Sequence, residues 1–99
     1  RGVKQTPAHK TEKFAELVCS NSFGSLSEVS APGQLKWEAE QLGSFILAAA
    51  KEHAVPAGQA LGIDRERFSE KVTQLVHEHP NITVKKELVT SLSQVPRPT

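Results

Sequence analysis

Between Gly33 and His53 the apolar residues Leu35, Ala39, Leu42, Ile46, Ala49 and Ala50 recur at steps of three and four, while Lys36, Glu38, Glu40, Gln41 and Lys51 fall largely off that stripe. This is the period of an amphipathic α-helix, and it predicts one helix over 33–53. Phe45 and Leu47 widen the apolar face, so both sides of the second half are expected to be covered. Gly43 costs about 1 kcal/mol against alanine inside a helix, and its missing side chain suits close approach by another backbone. Val55-Pro56-Ala57-Gly58 then breaks the pattern.

A second helix is predicted over 64–79. Asp64 is a good N-cap residue, Phe68, Val72, Leu75, Val76 and His79 form the expected buried side, and Pro80 stops the helix. After a turn at Asn81, Ile82-Thr83-Val84-Lys85 alternates apolar with polar as a half-buried strand does, and Leu88 to Leu92 reads as a second extended piece. Strands are therefore expected within 81–92. Two strands are marginal by themselves, so they need a sheet supplied by other residues. The tail over 93–99, with Pro96 and Pro98, continues no regular element.

The first third is less regular. Residues 1–11 contain Pro7 and no periodicity, which predicts an extended loop on a surface or a ligand. Thr11 can cap a short helix over 12–18, but the Phe14–Val18 run fits a short extended segment nearly as well, and both readings stay open. The Ser-, Gly- and Pro-rich stretch from Gly24 to Gly33 reads as a loop. The whole is a single α/β domain with two main helices and short strands. A chain of 99 residues buries only about two-thirds of its unfolded surface, so the core is modest.

Charge narrows the partners. Twelve basic and 11 acidic residues in mixed order leave a net charge of +1, which gives no global field to draw nucleic acid or an anionic membrane. No apolar run approaches the roughly 18 residues of a membrane span, and no signal sequence opens the chain. The expectation is a soluble protein of a reducing compartment. The chain holds no methionine, so a processed product or a piece of something longer is expected.

Cys19 is the single cysteine, placed where the run Phe14-Ala15-Glu16-Leu17-Val18 stops at a thiol followed by Ser20-Asn21-Ser22. It is either inert packing, a reactive thiol or a contact beside a ligand. His53, His77 and His79 lie at predicted helix ends, where the helix dipole favours a cation. His77 and His79 are two apart and cannot share one helix face, so no metal site is expected. Asp64-Arg65 reads either as an N-cap followed by a solvated arginine or as a ligand-facing pair. The chain has no G-x-G-x-x-G fingerprint, phosphate-binding loop, nucleophile elbow or metalloprotease helix.

Four runs together are more specific. Thr6-Pro7-Ala8-His9, Phe14 through Ser22, Val55-Pro56-Ala57-Gly58, and Asp64-Arg65 with Phe68-Ser69 and Val72-Thr73 resemble, in order and interval, the FAD- and folate-dependent tRNA uracil-5-methyltransferases. The resemblance covers most of the chain but only part of the family's protein. It implies a partial segment of an FAD-binding fold of the two-dinucleotide-binding type, just after its second strand, with the glycine fingerprint upstream of Arg1.

The family takes a one-carbon unit from methylenetetrahydrofolate, reduces it through flavin with NADH or NADPH as the reductant, and methylates carbon 5 of a tRNA uridine. The resemblance implies FAD and methylenetetrahydrofolate as cofactors of the complete protein, tRNA as its partner, and a cytoplasmic location. It puts Cys19 beside the isoalloxazine ring as a catalytic or flavin-supporting residue, with Ser20, Asn21 and Ser22 lining the flavin pocket. His9, in the loop from Thr6 to Thr11, falls on the adenosine or substrate side, and Asp64 and Arg65 open the helix beneath it. Departures are Gln59 and Gly62, where the family usually has glycine and alanine, and Arg1-Gly2-Val3, where it usually has Arg-Pro-Val.

Two expectations of different class follow. In one, the chain is a segment of the flavoenzyme, holding part of the flavin pocket with the remaining parts of the FAD-binding domain and inactive alone. In the other, it is a non-catalytic descendant that binds another protein in a larger assembly. A generic redox-sensing thiol protein explains none of the four runs.

Overall fold

The computed structural model describes residues 3–96, so Arg1, Gly2 and the tail from Arg97 to Thr99 lie outside the described residues. In chain order the elements are β1 (Ser22–Ser25), α1 (Ala31–Gln41), α2 (Phe45–Glu52), β2 (Ala54–Val55), β3 (Ala60–Ile63), α3 (Arg65–Glu78) and a short 3-10 turn (Leu92–Gln94). The α/β expectation holds as three helices on a small three-stranded sheet of order β1-β3-β2, with both pairs antiparallel.

The core is the space between α2, β3 and α3. Leu47, Ala49 and Ala50 from α2, Leu61 and Ile63 from β3, and Phe68 and Val72 from α3 are all buried. Phe23 of β1 meets the Phe68 ring edge-on at 5.4 Å between centroids, which ties β1 to the same core. Burial is modest, as a chain of this size requires.

The single helix expected over 33–53 is two. Gly43 has φ 77°. Its N–H donates to the Glu40 carbonyl at 2.9 Å, and the Ser44 N–H donates to the Ala39 carbonyl at 3.1 Å. That bond pair is a Schellman stop, which needs a left-handed residue after the helix. Ser44 then caps α2, its hydroxyl accepting from the Leu47 N–H at 3.3 Å. Nothing lies within 4 Å of where a Gly43 side chain would start, so its role is conformational and not the close approach expected from sequence. Because the chain turns here, the predicted stripe does not bury as one face. Ala49 and Ala50 are buried, whereas Leu35 and Leu42 are exposed.

The second helix starts as expected, with the Asp64 side chain accepting from the Arg67 N–H at 3.2 Å. Phe68 and Val72 are buried and Leu75 and Val76 half-buried, but His79 is exposed. His79 is the C-cap, already in extended geometry at φ −72° and ψ 125°, so its side chain leaves the helix face.

The strands fall elsewhere than predicted. No strand forms over 81–92 among the described residues; the stretch after the turn at Asn81 joins no helix or sheet until the 3-10 turn at Leu92. The sheet instead uses Ser22–Ser25, which overlaps the first two residues of the loop expected from Gly24 to Gly33, and the hairpin on either side of the Pro56–Gln59 turn. Residues 12–18 form neither a helix nor a strand, and Ala15 holds a positive φ of 55° within them.

Candidate functional site

The sheet and α3 bring two separate sequence runs together. The Ile63 N–H donates to the Asn21 carbonyl at 2.8 Å, and the Asn21 amide returns a bond to the Ile63 carbonyl at 3.2 Å. Asn21 thus extends the β1–β3 ladder by one step, through its side chain as well as its backbone. Directly after Ile63, Asp64 fixes the first turn of α3, and its own N–H donates to the His53 carbonyl at 2.9 Å. Arg65 follows, and its guanidinium reaches back to donate to the Cys19 carbonyl at 3.5 Å.

Cys19, Ser20, Asn21, Ser22, Asp64 and Arg65 therefore form one continuous wall where β1 and β3 meet the N-terminus of α3. Cys19 is a free, exposed thiol. Arg65 engages its main-chain oxygen and leaves the sulfur open. The Ser20 hydroxyl accepts from the Ser22 N–H at 3.1 Å, and the Ser22 hydroxyl accepts from the Gly24 N–H at 3.0 Å. Both serine oxygens are oriented as acceptors by the backbone, which leaves each hydroxyl hydrogen to donate outward. The Asn21 amide gives one of its two N–H donors to the Ile63 carbonyl, and its side-chain oxygen remains an acceptor. The wall presents a thiol, two hydroxyl donors, an amide oxygen and a guanidinium.

His9 is not part of it. Its Nδ1 accepts from the Thr6 N–H at 3.1 Å and lies 3.0 Å from the Thr6 hydroxyl, closing the Thr6–His9 turn on itself. Among the described residues no group of three or more His, Cys, Asp or Glu side chains could hold a metal ion. A cleft of about 500 Å³ opens elsewhere, lined by Leu26, Gly33, Lys36, Trp37, Glu40 and Lys51 among others, and Cys19–Ser22 contribute nothing to it.

Sequence reasoning missed what holds the approach to Cys19. The Glu16 carboxylate accepts from the Lys10 and Thr11 N–H groups at 2.9 and 3.1 Å. The Phe14 N–H donates to the Thr73 hydroxyl at 2.8 Å. Lys13 pairs with Glu70 at 3.0 Å. The only signal for these was polar residues interrupting apolar runs, and nothing in their spacing pairs residues more than 50 positions apart. Gly62 is buried beneath the wall, and a Cβ there would lie 2.7 Å from the Ala57 Cβ, so the glycine at this departure from the family pattern fits the packing of the β2–β3 turn.

Residues 3–96 match the family model described as glucose inhibited division protein A. Among curated relatives, methylenetetrahydrofolate--tRNA-(uracil-5-)-methyltransferase TrmFO of Bdellovibrio bacteriovorus is 65% identical over 98 residues, covering 99% of this chain and 22% of the relative. Proteins of the same name from Sulfurihydrogenibium sp. and Anoxybacillus flavithermus are 60% and 55% identical over 93% and 97% of this chain, and 21% and 22% of their own lengths. The chain thus spans between 21% and 22% of the length of these relatives. No helix among the described residues is long and apolar enough to cross a membrane.

Proposed function

Because this chain belongs to the glucose inhibited division protein A family, we propose that it is a segment of a folate- and FAD-dependent tRNA uracil-5-methyltransferase and supplies one wall of its flavin pocket. The observation that carries this reading is the juxtaposition of the exposed Cys19–Ser22 strand end with Arg65, in a chain 65% identical to a relative named for that activity.

The residues fit the cofactor as a wall and not as an enclosure. A flavin ring presents a polar edge of alternating carbonyl and N–H groups, and Ser20, Ser22 and Asn21 offer matching donors and an acceptor. The Cys19 thiol, open to solvent on this face, suits contact with the ring itself. The phosphate-binding fingerprint is absent from the chain, so the pyrophosphate must be held by other parts of the FAD-binding domain. Bound flavin supplies the electron transfer that turns a folate-borne one-carbon unit into a methyl group.

Within that frame Cys19 supports the flavin, while Asp64 and Arg65 are positioning residues that fix the start of α3 and the Cys19 backbone. Attack on the uracil ring by Cys19 would instead need a thiolate held against the base. The activity on tRNA belongs to the complete polypeptide. Nothing in the fold or the relatives favours the reading as a non-catalytic scaffold.

The test is Cys19→Ala in the full polypeptide. Loss of bound flavin, or a displaced visible absorption band, is expected with the protein still folded. A wild-type spectrum with wild-type turnover overturns the assignment. A wild-type spectrum with abolished methyl transfer would move Cys19 to the nucleophile role.

A further inference from the structure

We propose that Glu16 is a positioning residue for Cys19: its carboxylate straps the loop that carries His9 to the run that carries the thiol, and so fixes where the sulfur stands against a flavin. This role rests on Cys19 supporting the flavin, and it assigns the device that holds the thiol in place.

The loop is knit to itself before Glu16 reaches it. The Gln5 side-chain amide donates to the Thr11 carbonyl at 3.2 Å, the His9 N–H donates to the Thr6 carbonyl at 3.1 Å, and the Thr6 N–H donates to His9 Nδ1 at 3.1 Å. Glu16 then takes two consecutive N–H groups of this unit on one carboxylate oxygen, Lys10 at 2.9 Å and Thr11 at 3.1 Å. Successive backbone N–H groups aimed at one point make a small anion site. Hydrogen bonds to an ionised acceptor are also stronger than those between neutral groups.

The other end of the strap is anchored. Phe14, Ala15 and Leu17 pack against the core, while Glu16, set among them, reaches the loop instead. Ala15 holds φ 55°, a left-handed conformation that a residue with a side chain keeps only where its surroundings impose it. The Phe14 N–H bond to the Thr73 hydroxyl fixes one side of that turn, and the Glu16 carboxylate fixes the other. Cys19 follows Glu16 by three residues, about 10 Å of chain at most, and both Val18 and Cys19 are exposed. The Arg65 bond to the Cys19 carbonyl is long at 3.5 Å. An exposed thiol with so weak a tie depends on the fixed point before it, and Glu16 supplies that point.

The test is the shielding of Cys19 by flavin in the full polypeptide. Alkylation of Cys19 by iodoacetamide is followed by mass spectrometry of its peptide, with and without saturating FAD, for the wild type, Glu16→Ala and Glu16→Gln. Thermal unfolding of the flavin-free proteins is recorded alongside. Flavin is expected to slow alkylation of the wild-type thiol about 10-fold or more, because alkylation follows access to the sulfur. Glu16→Ala should lose most of that shielding, and Glu16→Gln, whose amide oxygen still accepts both N–H groups, should keep most of it. Wild-type shielding in Glu16→Ala, even with a lower melting temperature, makes Glu16 structural and overturns the positioning role. Glutamine no better than alanine overturns it too. A wild-type thiol that flavin does not shield removes Cys19 from the flavin and Glu16 with it, so failure of the flavin reading shows in the wild type alone. Where the alanine variant does not fold or does not take up flavin, Glu16→Asp decides, one methylene shorter at the same charge: reduced shielding supports the strap, and wild-type shielding overturns it.

Discussion

The Phe14 N–H donates to the Thr73 hydroxyl at 2.8 Å across 59 positions of sequence. The Phe14 ring lies 5.7 Å from His77, tilted by 38°. Thr73 and His77 are one helical turn apart on α3, so this helix grips the irregular segment that leads to Cys19 by its backbone and by its ring at once. The segment has no helix or strand of its own to fix it, and α3 anchors it beside the local bonds from the Lys10 and Thr11 N–H groups to the Glu16 carboxylate.

Thr73→Val tests that grip. The valine keeps the shape and removes the acceptor, leaving a half-buried N–H without a partner, which costs about 1–3 kcal/mol. Urea unfolding should show that loss, while Thr73→Ser should restore most of it. Faster exchange of the Phe14 amide in Thr73→Val with α3 otherwise protected would place the effect at this bond. Equal stability of the valine and serine variants would show that the hydroxyl is not the anchor.

Gly43→Ala should destabilise the protein by about 1–2 kcal/mol, because alanine pays the left-handed backbone cost that glycine avoids. Space is not the issue, since nothing lies within 4 Å of the new Cβ. Asparagine, which tolerates this conformation better, should lose less. A stabilised alanine variant with higher helix content by circular dichroism would mean that α1 and α2 had fused, and that the Schellman stop does not govern the break.

The same glycine shows why the first helix was only half legible. Apolar steps of three and four run on through Gly43, and periodicity alone does not register a stop whose signal is a φ angle and a following serine cap. The second helix was legible because its ends are written in side chains, Asp64 before it and Pro80 after it. The strands were not. Ser22–Ser25 and Ala60–Ile63 are short, contain glycine and carry little β-branched content, so they form because pairing across the core rewards them and not from local propensity. Ile82–Lys85 has the propensity and lacks the partner. For the site, the resemblance singled out Cys19–Ser22 and Asp64-Arg65, but only the β1–β3 register brings them together.

Gly33→Ala should be among the most damaging single-methyl changes in the chain. Gly33 is buried in the first turn of α1, and a Cβ there would fall 1.9 Å from the Ser27 carbonyl oxygen. Relief requires moving backbone, because Ser30 joins the same turn through its hydroxyl, donating to the Ser27 carbonyl at 2.8 Å and accepting from the Gly33 N–H at 3.1 Å. Overpacking of this kind costs about 1–3 kcal/mol and sometimes more. Thermal unfolding at matched concentration checks it, with Gln34→Ala on the exposed side of the turn as the control. A melting temperature equal to that of the control would mean that the α1 entry loop yields freely.

Arg65→Met separates a positioning role from a structural one. The guanidinium bond to the Cys19 carbonyl is long at 3.5 Å and exposed to solvent, and the methionine retains a similar stem and helix propensity. Stability should therefore change by no more than about 0.5 kcal/mol. The Cys19 backbone, however, loses its tie to the start of α3, and in the full polypeptide the ratio of flavin to protein should fall while Arg65→Lys keeps part of it. Thermal unfolding of the flavin-free protein and flavin content after desalting are the paired measurements. Reduced flavin at unchanged stability supports Arg65 as the residue that holds Cys19 in place. Flavin loss that merely tracks a lower melting temperature would reduce Arg65 to a helix residue, and unchanged flavin would remove it from the wall altogether.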